Sequence, residues 1–215
     1  MAVRISISRT TWIFLVVGLP IQVITFGILP EDNPWSLVSG LLGICSVTLG
    51  AQGNILTFVF GFAQVGTYTY LCCLEHFYAE IAMNAYYFLT MMYGVYCWRK
   101  RLIDNSLQIK TRVLSSKLIW WMVVCVVVVS LLVGWILARF TDDPQPYMDA
   151  FTTVPAIAAQ LLMVLAFREQ WYLWFVVDIL AVVLWLRAEN YCMAAQYAFW
   201  CANCVYGYRQ WSEER

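Results

Sequence analysis

The sequence has little charge for its length. Lys, Arg, Asp and Glu make up 12% of the 215 residues, whereas hydrophobic residues make up 62%; soluble domains contain about 25% charged residues. The formal net charge is zero, so the composition gives no reason to expect nucleic acid as a partner. The apolar runs are too many for one globular core, and each is long enough to cross a bilayer. The composition therefore predicts an integral membrane protein whose surroundings are the lipid bilayer.

Motifs for catalysis and for nucleotide binding are also absent from the sequence. It contains no Gly-x4-Gly-Lys-Ser/Thr loop, no Gly-x-Ser-x-Gly and no His-Glu-x-x-His. The single histidine, His76, is expected in a loop. Cys201 and Cys204 have the spacing of a redox or metal pair, but they lie in an apolar segment without a second Cys or His pair nearby. We therefore expect no enzyme activity, no metal and no cofactor.

Eight apolar segments separated by short polar turns are expected to be membrane-spanning helices. They cover about 11–30, 35–50, 54–73, 77–98, 118–139, 148–167, 171–187 and 190–211. The first follows a short basic stretch, as in a signal peptide, but it is long for one and lacks a small-residue cleavage site, so we interpret it as a retained helix. The predicted fold class is an all-α integral membrane protein with eight transmembrane helices.

The basic residues are strongly biased to one side of this predicted bundle. If the N-terminus is cytoplasmic, eleven of the thirteen Lys and Arg residues fall in inside segments, and only Arg139 and Arg187 fall outside. The loop 99–117 alone contains six of them. Because basic loops stay on the cytoplasmic side, both termini are expected to be cytoplasmic.

An internal repeat is visible at the ends of two segments. The pattern Tyr-Gly-x-x-x-Trp occurs at 93–98 and again at 206–211, which is 113 residues later. Each occurrence closes a group of three predicted helices. One helix links the groups, so both groups enter the membrane from the same side and form a parallel repeat. In transporters built from such repeats, the substrate site lies between the halves near the membrane midplane.

This repeat divides the chain into a 3+1+3 plan with an additional N-terminal helix. The parts are an N-terminal transmembrane helix in 1–30, a first three-helix repeat in 31–98, a basic cytoplasmic loop, linker helix and outer turn in 99–147, and a second three-helix repeat in 148–215.

One carboxylate, Asp178, lies within an apolar segment. It is roughly 10 Å along a helix from Trp171, close to mid-membrane, where an unpaired charge costs at least about 2.5 kcal/mol on insertion scales. We therefore expect it to have a function. Trp171 and Trp174 precede it by seven and four positions, on the same helical face. An acid among aromatic rings suits a flat ligand that is cationic or forms hydrogen bonds.

Two further segments have amide and aromatic side chains on one face. These are Gln196, Trp200 and Asn203 in the last segment, with Tyr197 beside them, and Asn84 and Tyr87 in the fourth. Their amide groups both donate and accept hydrogen bonds, which suits sugar hydroxyls or a carboxamide. The alternative interpretation is that they only join helices, since interhelical amide bonds are common in membrane bundles.

Three stretches resemble the PnuC-type vitamin transporters. They are Glu169-Gln-Trp-x-x-Trp-x-x-x-Asp178, Gln196-Tyr197 with the motif at 206–211, and Asn84-Ala-Tyr-Tyr-Phe88 with the motif at 93–98. The resemblance implies a bacterial inner-membrane carrier with a SWEET-like 3+1+3 core. It implies uptake of nicotinamide riboside by facilitated diffusion. Our own hypothesis for the mechanism is alternating access between the repeats. A cytoplasmic nicotinamide riboside kinase would trap the substrate, and a homotrimer is a further expectation.

The resemblance also implies a site built by both halves. Its residues would be Trp171, Trp174, Asp178, Gln196, Tyr197, Trp200 and Asn203 from the second half, with Asn84, Tyr87 and Gln64 from the first. Family members also carry thiamine or riboflavin, and Asp178 suits the pyridinium of the riboside and the thiazolium of thiamine equally. A non-transporting sensor, or a substrate-binding subunit that works with a separate ATPase, is the alternative of another class.

Overall fold

The computed structural model describes residues 7–28, 33–74, 76, 78–187, 189 and 191–213. Over these residues it contains eight α-helices, which confirms the predicted all-α fold. In chain order they are α1 (Arg9–Ile28), α2 (Pro34–Ala51), α3 (Thr57–Leu74), α4 (Tyr78–Arg99), α5 (Ser116–Phe140), α6 (Pro146–Val164), α7 (Gln170–Arg187) and α8 (Tyr191–Glu213). Arg4 and Arg215, two of the basic residues that indicate the orientation, lie outside the described residues.

Six helices in the described part of the chain are long and apolar enough to cross a membrane. They are α1, α2, α3, α5, α6 and α7. The other two, α4 and α8, have 22 and 23 residues and so have sufficient length, but they are less apolar. They contain the amide side chains noted above, which are compatible with the membrane where they face the interior of the bundle.

The internal repeat extends over the whole bundle. Helices α3 and α7 begin 113 positions apart and also end 113 positions apart. The starts of α4 and α8 and the ends of α2 and α6 have the same spacing. At this spacing α1 overlaps α5, so the N-terminal helix is the counterpart of the linker helix. The 3+1+3 plan with its additional helix is therefore a pair of equivalent four-helix units.

The turns between the helices repeat in the same register. Gly53 and Ala166, 113 positions apart, have left-handed backbones with φ of 69° and 61°. Such a φ is uncommon for alanine, and it ends the helix. As a result α6 stops at Val164 rather than near 167, and α3 starts at Thr57 rather than near 54. These are the largest differences between the predicted and observed helix boundaries.

The two units pack against each other through two equivalent pairs of helices. Within each unit, α2 packs on α3 and α3 on α4, and likewise α6 on α7 and α7 on α8. Between the units, α2 contacts α8 and α4 contacts α6, as a two-fold axis requires. Helix α1 lies against α2, as α5 lies against α6.

Trp98 and Trp211, the last residues of the repeated motif, meet where the two units join, near the C-terminal ends of their helices. Both are 0% exposed, and their rings pack edge to face with centroids 5.7 Å apart. The indole N–H of Trp98 donates to the carbonyl of Met163 at 3.0 Å, and that of Trp211 donates to the carbonyl of Gly50 at 3.0 Å. The two acceptors are also 113 positions apart, so each half forms the same hydrogen bond to the other.

The glycine of the motif leaves space for an aromatic ring of a neighbouring helix. A Cβ atom at Gly94 would lie 2.7 Å from a ring carbon of Phe58, and one at Gly207 would lie 2.5 Å from a ring carbon of Trp171. Phe58 and Trp171 are again counterparts in the repeat. The Tyr-Gly-x-x-x-Trp pattern therefore has a packing role at the junction of the halves.

The loop 100–115, between α4 and α5, is hydrogen-bonded to both halves. The N–H of Ile109 donates to the carbonyl of Gly53 at 3.0 Å. The N–H of Arg112 donates to the carbonyl of Ala166 at 2.7 Å, and its carbonyl accepts from the N–H of Arg168 at 2.9 Å. The loop thus holds the α2–α3 and α6–α7 turns together on one side of the bundle.

Substituting Trp98 or Trp211 by phenylalanine is expected to destabilise the protein. Trp98→Phe and Trp211→Phe keep an aromatic ring but remove the indole donor to the carbonyl of Met163 or Gly50. Each carbonyl keeps a backbone N–H donor, so the expected cost is that of one hydrogen bond, about 0.5–1.5 kcal/mol. Thermal unfolding in detergent should show a similar decrease in midpoint for both variants. The control is Trp120→Phe, at a tryptophan that is 60% exposed. Equal midpoints for all three variants would contradict the role given to the pair.

Candidate functional site

A cavity of about 410 Å³ lies between the two halves of the bundle. Helices α2, α3 and α4 of the first half and α6, α7 and α8 of the second all contribute to its lining. Its volume is in the range of small-molecule sites. The position agrees with the site that the parallel repeat predicts.

Seven of the ten predicted site residues line this cavity. They are Gln64 and Tyr87 from the first half and Trp171, Trp174, Asp178, Tyr197 and Trp200 from the second. The sequence therefore identified residues that the fold brings together from four helices. Their role in binding a substrate stays a prediction.

The three remaining predicted residues, all amides, lie outside the cavity lining. Gln196 donates from Nε2 to Oε1 of Gln22 in α1 at 3.0 Å, as expected if it joins helices. Asn84 is buried and donates from Nδ2 to the carbonyl of Glu80, one turn earlier in α4, at 2.9 Å. Asn203 is fully buried, and its amide atoms have no hydrogen-bond partner among the described residues. A substrate role for these residues also stays a prediction.

Asp178 lines the cavity with an unneutralised side chain. It is 8% exposed, and its Oδ2 accepts a hydrogen bond from the thiol of Cys204 at 3.3 Å. In the described ranges the one ion pair is Arg168 with Glu169, so no described basic residue pairs with Asp178. The carboxylate is therefore available to a positively charged ligand. Cys204, for which the sequence predicts no redox or metal role, also lines the cavity.

Aromatic side chains form the walls around this carboxylate. Trp171 is buried and packs edge to face on Trp211, with ring centroids 5.9 Å apart. It connects the cavity to the tryptophan pair at the interface. Trp174 and Trp200 are partly buried and line the cavity, so their rings are more accessible to a ligand than that of Trp171.

Two glutamines in the lining were missed by the sequence analysis. Gln160 in α6 is 7% exposed and donates from Nε2 to the hydroxyl of Thr90 at 3.2 Å. Gln170, the first residue of α7, is buried, and its Nε2 has no partner among the described residues. A signal was present in both cases: Gln160 is an isolated amide in an apolar segment, and Gln170 precedes Trp171 in the quoted motif.

Counterparts in the repeat occupy the lining in pairs. Seven pairs with the 113-residue spacing line the cavity: Val47 and Gln160, Gly50 and Met163, Thr57 and Gln170, Gly61 and Trp174, Val65 and Asp178, Tyr87 and Trp200, and Met91 and Cys204. The same backbone positions thus build both walls, but the carboxylate belongs to the second half alone. Gly61 has no side chain at the position where its counterpart has an indole.

Comparisons with known proteins agree with this architecture and identify the family. The family model described as nicotinamide mononucleotide transporter matches residues 33–213. The nicotinamide riboside transporter PnuC of Neisseria mucosa is 30% identical over 95% of this chain and 81% of its own length. PnuC of Haemophilus influenzae is 29% identical over 85% of this chain and 80% of its own length.

A solved structure has the same fold. The crystal structure of the vitamin B3 transporter PnuC superposes with a TM-score of 0.78 at 28% identity, covering 97% of this chain and 92% of that one. The predicted resemblance to PnuC-type transporters is therefore confirmed. The chain belongs to the nicotinamide mononucleotide transporter family and is a multi-pass membrane transporter rather than an enzyme.

Proposed function

We propose that this chain carries nicotinamide riboside across the membrane by facilitated diffusion, with alternating access of the cavity between the two halves. The observation that carries the proposal is the unneutralised carboxylate of Asp178 in an aromatic cavity between the repeats. The pyridinium ring of the riboside is flat and positively charged, so it is attracted by the carboxylate and by the indole faces of Trp174 and Trp200. The names of the relatives support the same substrate.

The chemistry of the lining favours the riboside over the mononucleotide. The two compounds differ by one phosphate group, which has a charge of about −1.5 to −2 at neutral pH. No Lys, Arg or His is among the described residues that line the cavity. Asp178 would repel a phosphate in this low-dielectric site. The riboside has no such group, and its hydroxyls and carboxamide suit the amides of Gln64, Gln160 and Gln170.

The cellular setting is part of the same proposal. The basic loop 100–115 supports an orientation with both termini in the cytoplasm of a bacterium, and therefore an inner-membrane location. Facilitated diffusion does not concentrate a substrate. A cytoplasmic nicotinamide riboside kinase would therefore sustain net uptake by phosphorylating the riboside that has entered the cell. A homotrimer, implied by the family resemblance, belongs to the proposal as well.

Replacing Asp178 by asparagine should weaken binding of the riboside at least tenfold, because the amide has nearly the same shape but no charge. Calorimetric titration of the detergent-purified protein measures this, with thiamine and riboflavin titrated in parallel. The matched control is Asp142→Asn in the exposed turn before α6. Reduced nicotinamide riboside, whose ring is neutral, should be affected much less by Asp178→Asn. Wild-type affinity of that variant for the oxidised riboside would exclude the proposed role of the charge.

Filling the cavity from the first half should also abolish binding. A Cβ atom at Gly61 would lie 2.5 Å from Cε of Met91 and 3.0 Å from Oγ of Ser46, so a leucine there must occupy space in the lining. Gly61→Leu should lose measurable riboside binding while the protein stays folded by size-exclusion chromatography. Gly66→Leu in the same helix is the control, since nothing lies within 4 Å of its Cβ position. Normal binding by Gly61→Leu would argue against this cavity as the site.

Proteoliposomes containing the purified chain alone should equilibrate radiolabelled nicotinamide riboside without ATP or an ion gradient. Nicotinamide mononucleotide should not enter, because of its phosphate. Enclosing a riboside kinase and ATP should convert equilibration into accumulation. Binding in detergent without flux into liposomes would favour the rival interpretation, a substrate-binding or sensor component. Entry of the mononucleotide at a similar rate would contradict the substrate assignment.

A further inference from the structure

A second cavity, of about 380 Å³, lies at the end of α4, away from the substrate cavity. Three basic side chains line it, Lys100, Arg101 and Arg112, together with Tyr93 and Tyr96 of α4. No residue of the substrate cavity takes part in it. The proposed transport function does not use these residues, so their arrangement needs a separate explanation.

The three cations have no described counter-charge. No carboxylate is among the described residues that line the cavity, and in the same part of the chain Arg168 and Glu169 form the one ion pair. The ammonium group of Lys100 lies 4.0 Å from the ring centroid of Tyr96. The guanidinium of Arg112 lies 4.2 Å from the ring centroid of Phe167. Cation–π contacts orient these groups without neutralising their charge. The cavity therefore presents net positive charge to an anion.

Backbone hydrogen bonds hold the chain segments that carry Arg101 and Arg112. The N–H of Arg101 donates to the carbonyl of Trp98 at 2.9 Å, and its carbonyl accepts from the N–H of Lys110 at 2.8 Å. Arg112 is held between Ala166 and Arg168 by the two backbone hydrogen bonds already described. A ligand therefore meets a loop whose backbone is already ordered, which lowers the entropic cost of binding.

The cavity borders an exposed face of α4. Tyr93 and Tyr96 are 54% and 55% exposed, and Leu89, one turn before Tyr93, is exposed as well. Leu89, Tyr93, Tyr96 and Lys100 follow one another at spacings of four, three and four residues, which places them on one helical face. Exposed tyrosines followed by a cation are typical of the boundary between the hydrocarbon and the headgroups.

We infer that this cavity binds the phosphate headgroup of an anionic phospholipid, whose acyl chains lie along the exposed face of α4. Phosphate oxygens accept charge-assisted hydrogen bonds from lysine and arginine, and basic clusters beside a membrane span recognise anionic lipids. A lipid is favoured over a free anion because the apolar approach to the cations lies on the membrane-facing side of the helix.

The site joins the two halves, and the positive charge of Lys100 is not repeated in the second half. Lys100 and Arg101 follow α4 of the first half, whereas Leu165, which also lines the cavity, follows α6 of the second. A bound lipid therefore contacts both units where α4 packs on α6. The counterpart of Lys100, 113 positions later, is Glu213, so the repeat does not reproduce this charge in the second half.

Native mass spectrometry of the delipidated full chain tests the inference. Phosphatidylglycerol and phosphatidylcholine with identical acyl chains are titrated separately, and one phosphatidylglycerol is expected to bind with at least tenfold preference. The triple variant Lys100→Gln, Arg101→Gln, Arg112→Gln should lose at least tenfold in affinity for phosphatidylglycerol. The matched control removes three exposed charges of the same region that do not line the cavity, Arg99→Gln, Lys110→Gln and Lys117→Gln, and should bind as the wild type does.

The remaining outcomes each count against the inference. Equal binding of the two lipids, or an equal loss of phosphatidylglycerol affinity in both triple variants, would contradict a specific site. Either result would show only that anionic lipid is attracted to the basic side of the protein in general. Displacement of phosphatidylglycerol by millimolar inorganic phosphate would identify a free anion as the ligand instead. Riboside binding by both variants checks that they are folded, because neither alters the substrate cavity. If the triple variant does not fold, Lys100→Gln alone should lower phosphatidylglycerol affinity about threefold, and no change would overturn the site.

Discussion

The reciprocal hydrogen bonds of Trp98 and Trp211 are the constraint on which the rest of the structure depends. Lipid is as apolar as leucine, so helices in a membrane gain little from burying apolar surface, and close packing and polar contacts between helices matter more. These two bonds hold α4 to α6 and α8 to α2 in the same relative position on both sides of the axis. Trp171 packs on Trp211 and also lines the substrate cavity. The wall of the cavity is therefore positioned directly by the contact that holds the halves together.

The substrate cavity shows how a symmetric backbone produces an asymmetric site. Each half contributes the same positions, but Val65 stands where the second half has Asp178. Two carboxylates facing one small cavity would repel each other, whereas one can attract a single cationic ring. Gly61 likewise has no side chain where its counterpart Trp174 has a ring, and Met91 and Ser46 pack close to it. One half therefore supplies the charge and most of the aromatic surface, while the other supplies apolar contact and the amide of Gln64.

The eight helices and most of the cavity were predictable because both depend on simple patterns. Apolar length indicates a span, and an acid at mid-membrane depth indicates a functional site, as for Asp178. The shifted helix ends were not predictable, because nothing in the sequence marks Ala166 as a left-handed residue. The partner of Gln196 depends on the docking of α1, which no local pattern encodes. Helices α1 and α5 share hydropathy but no motif, so their equivalence became visible only from the observed boundaries.

The unbroken 113-residue register between the halves bears on how the gene arose. A tandem duplication creates two copies with one constant spacing, and any later insertion or deletion within a copy would shift it. From α3 to α4 and from α7 to α8, helices and turns keep this spacing. A constant spacing of this kind needs no insertion or deletion between the halves in this region. The difference between Val65 and Asp178 shows that a change of one residue, within an unchanged register, is enough to make the two walls of the cavity chemically different.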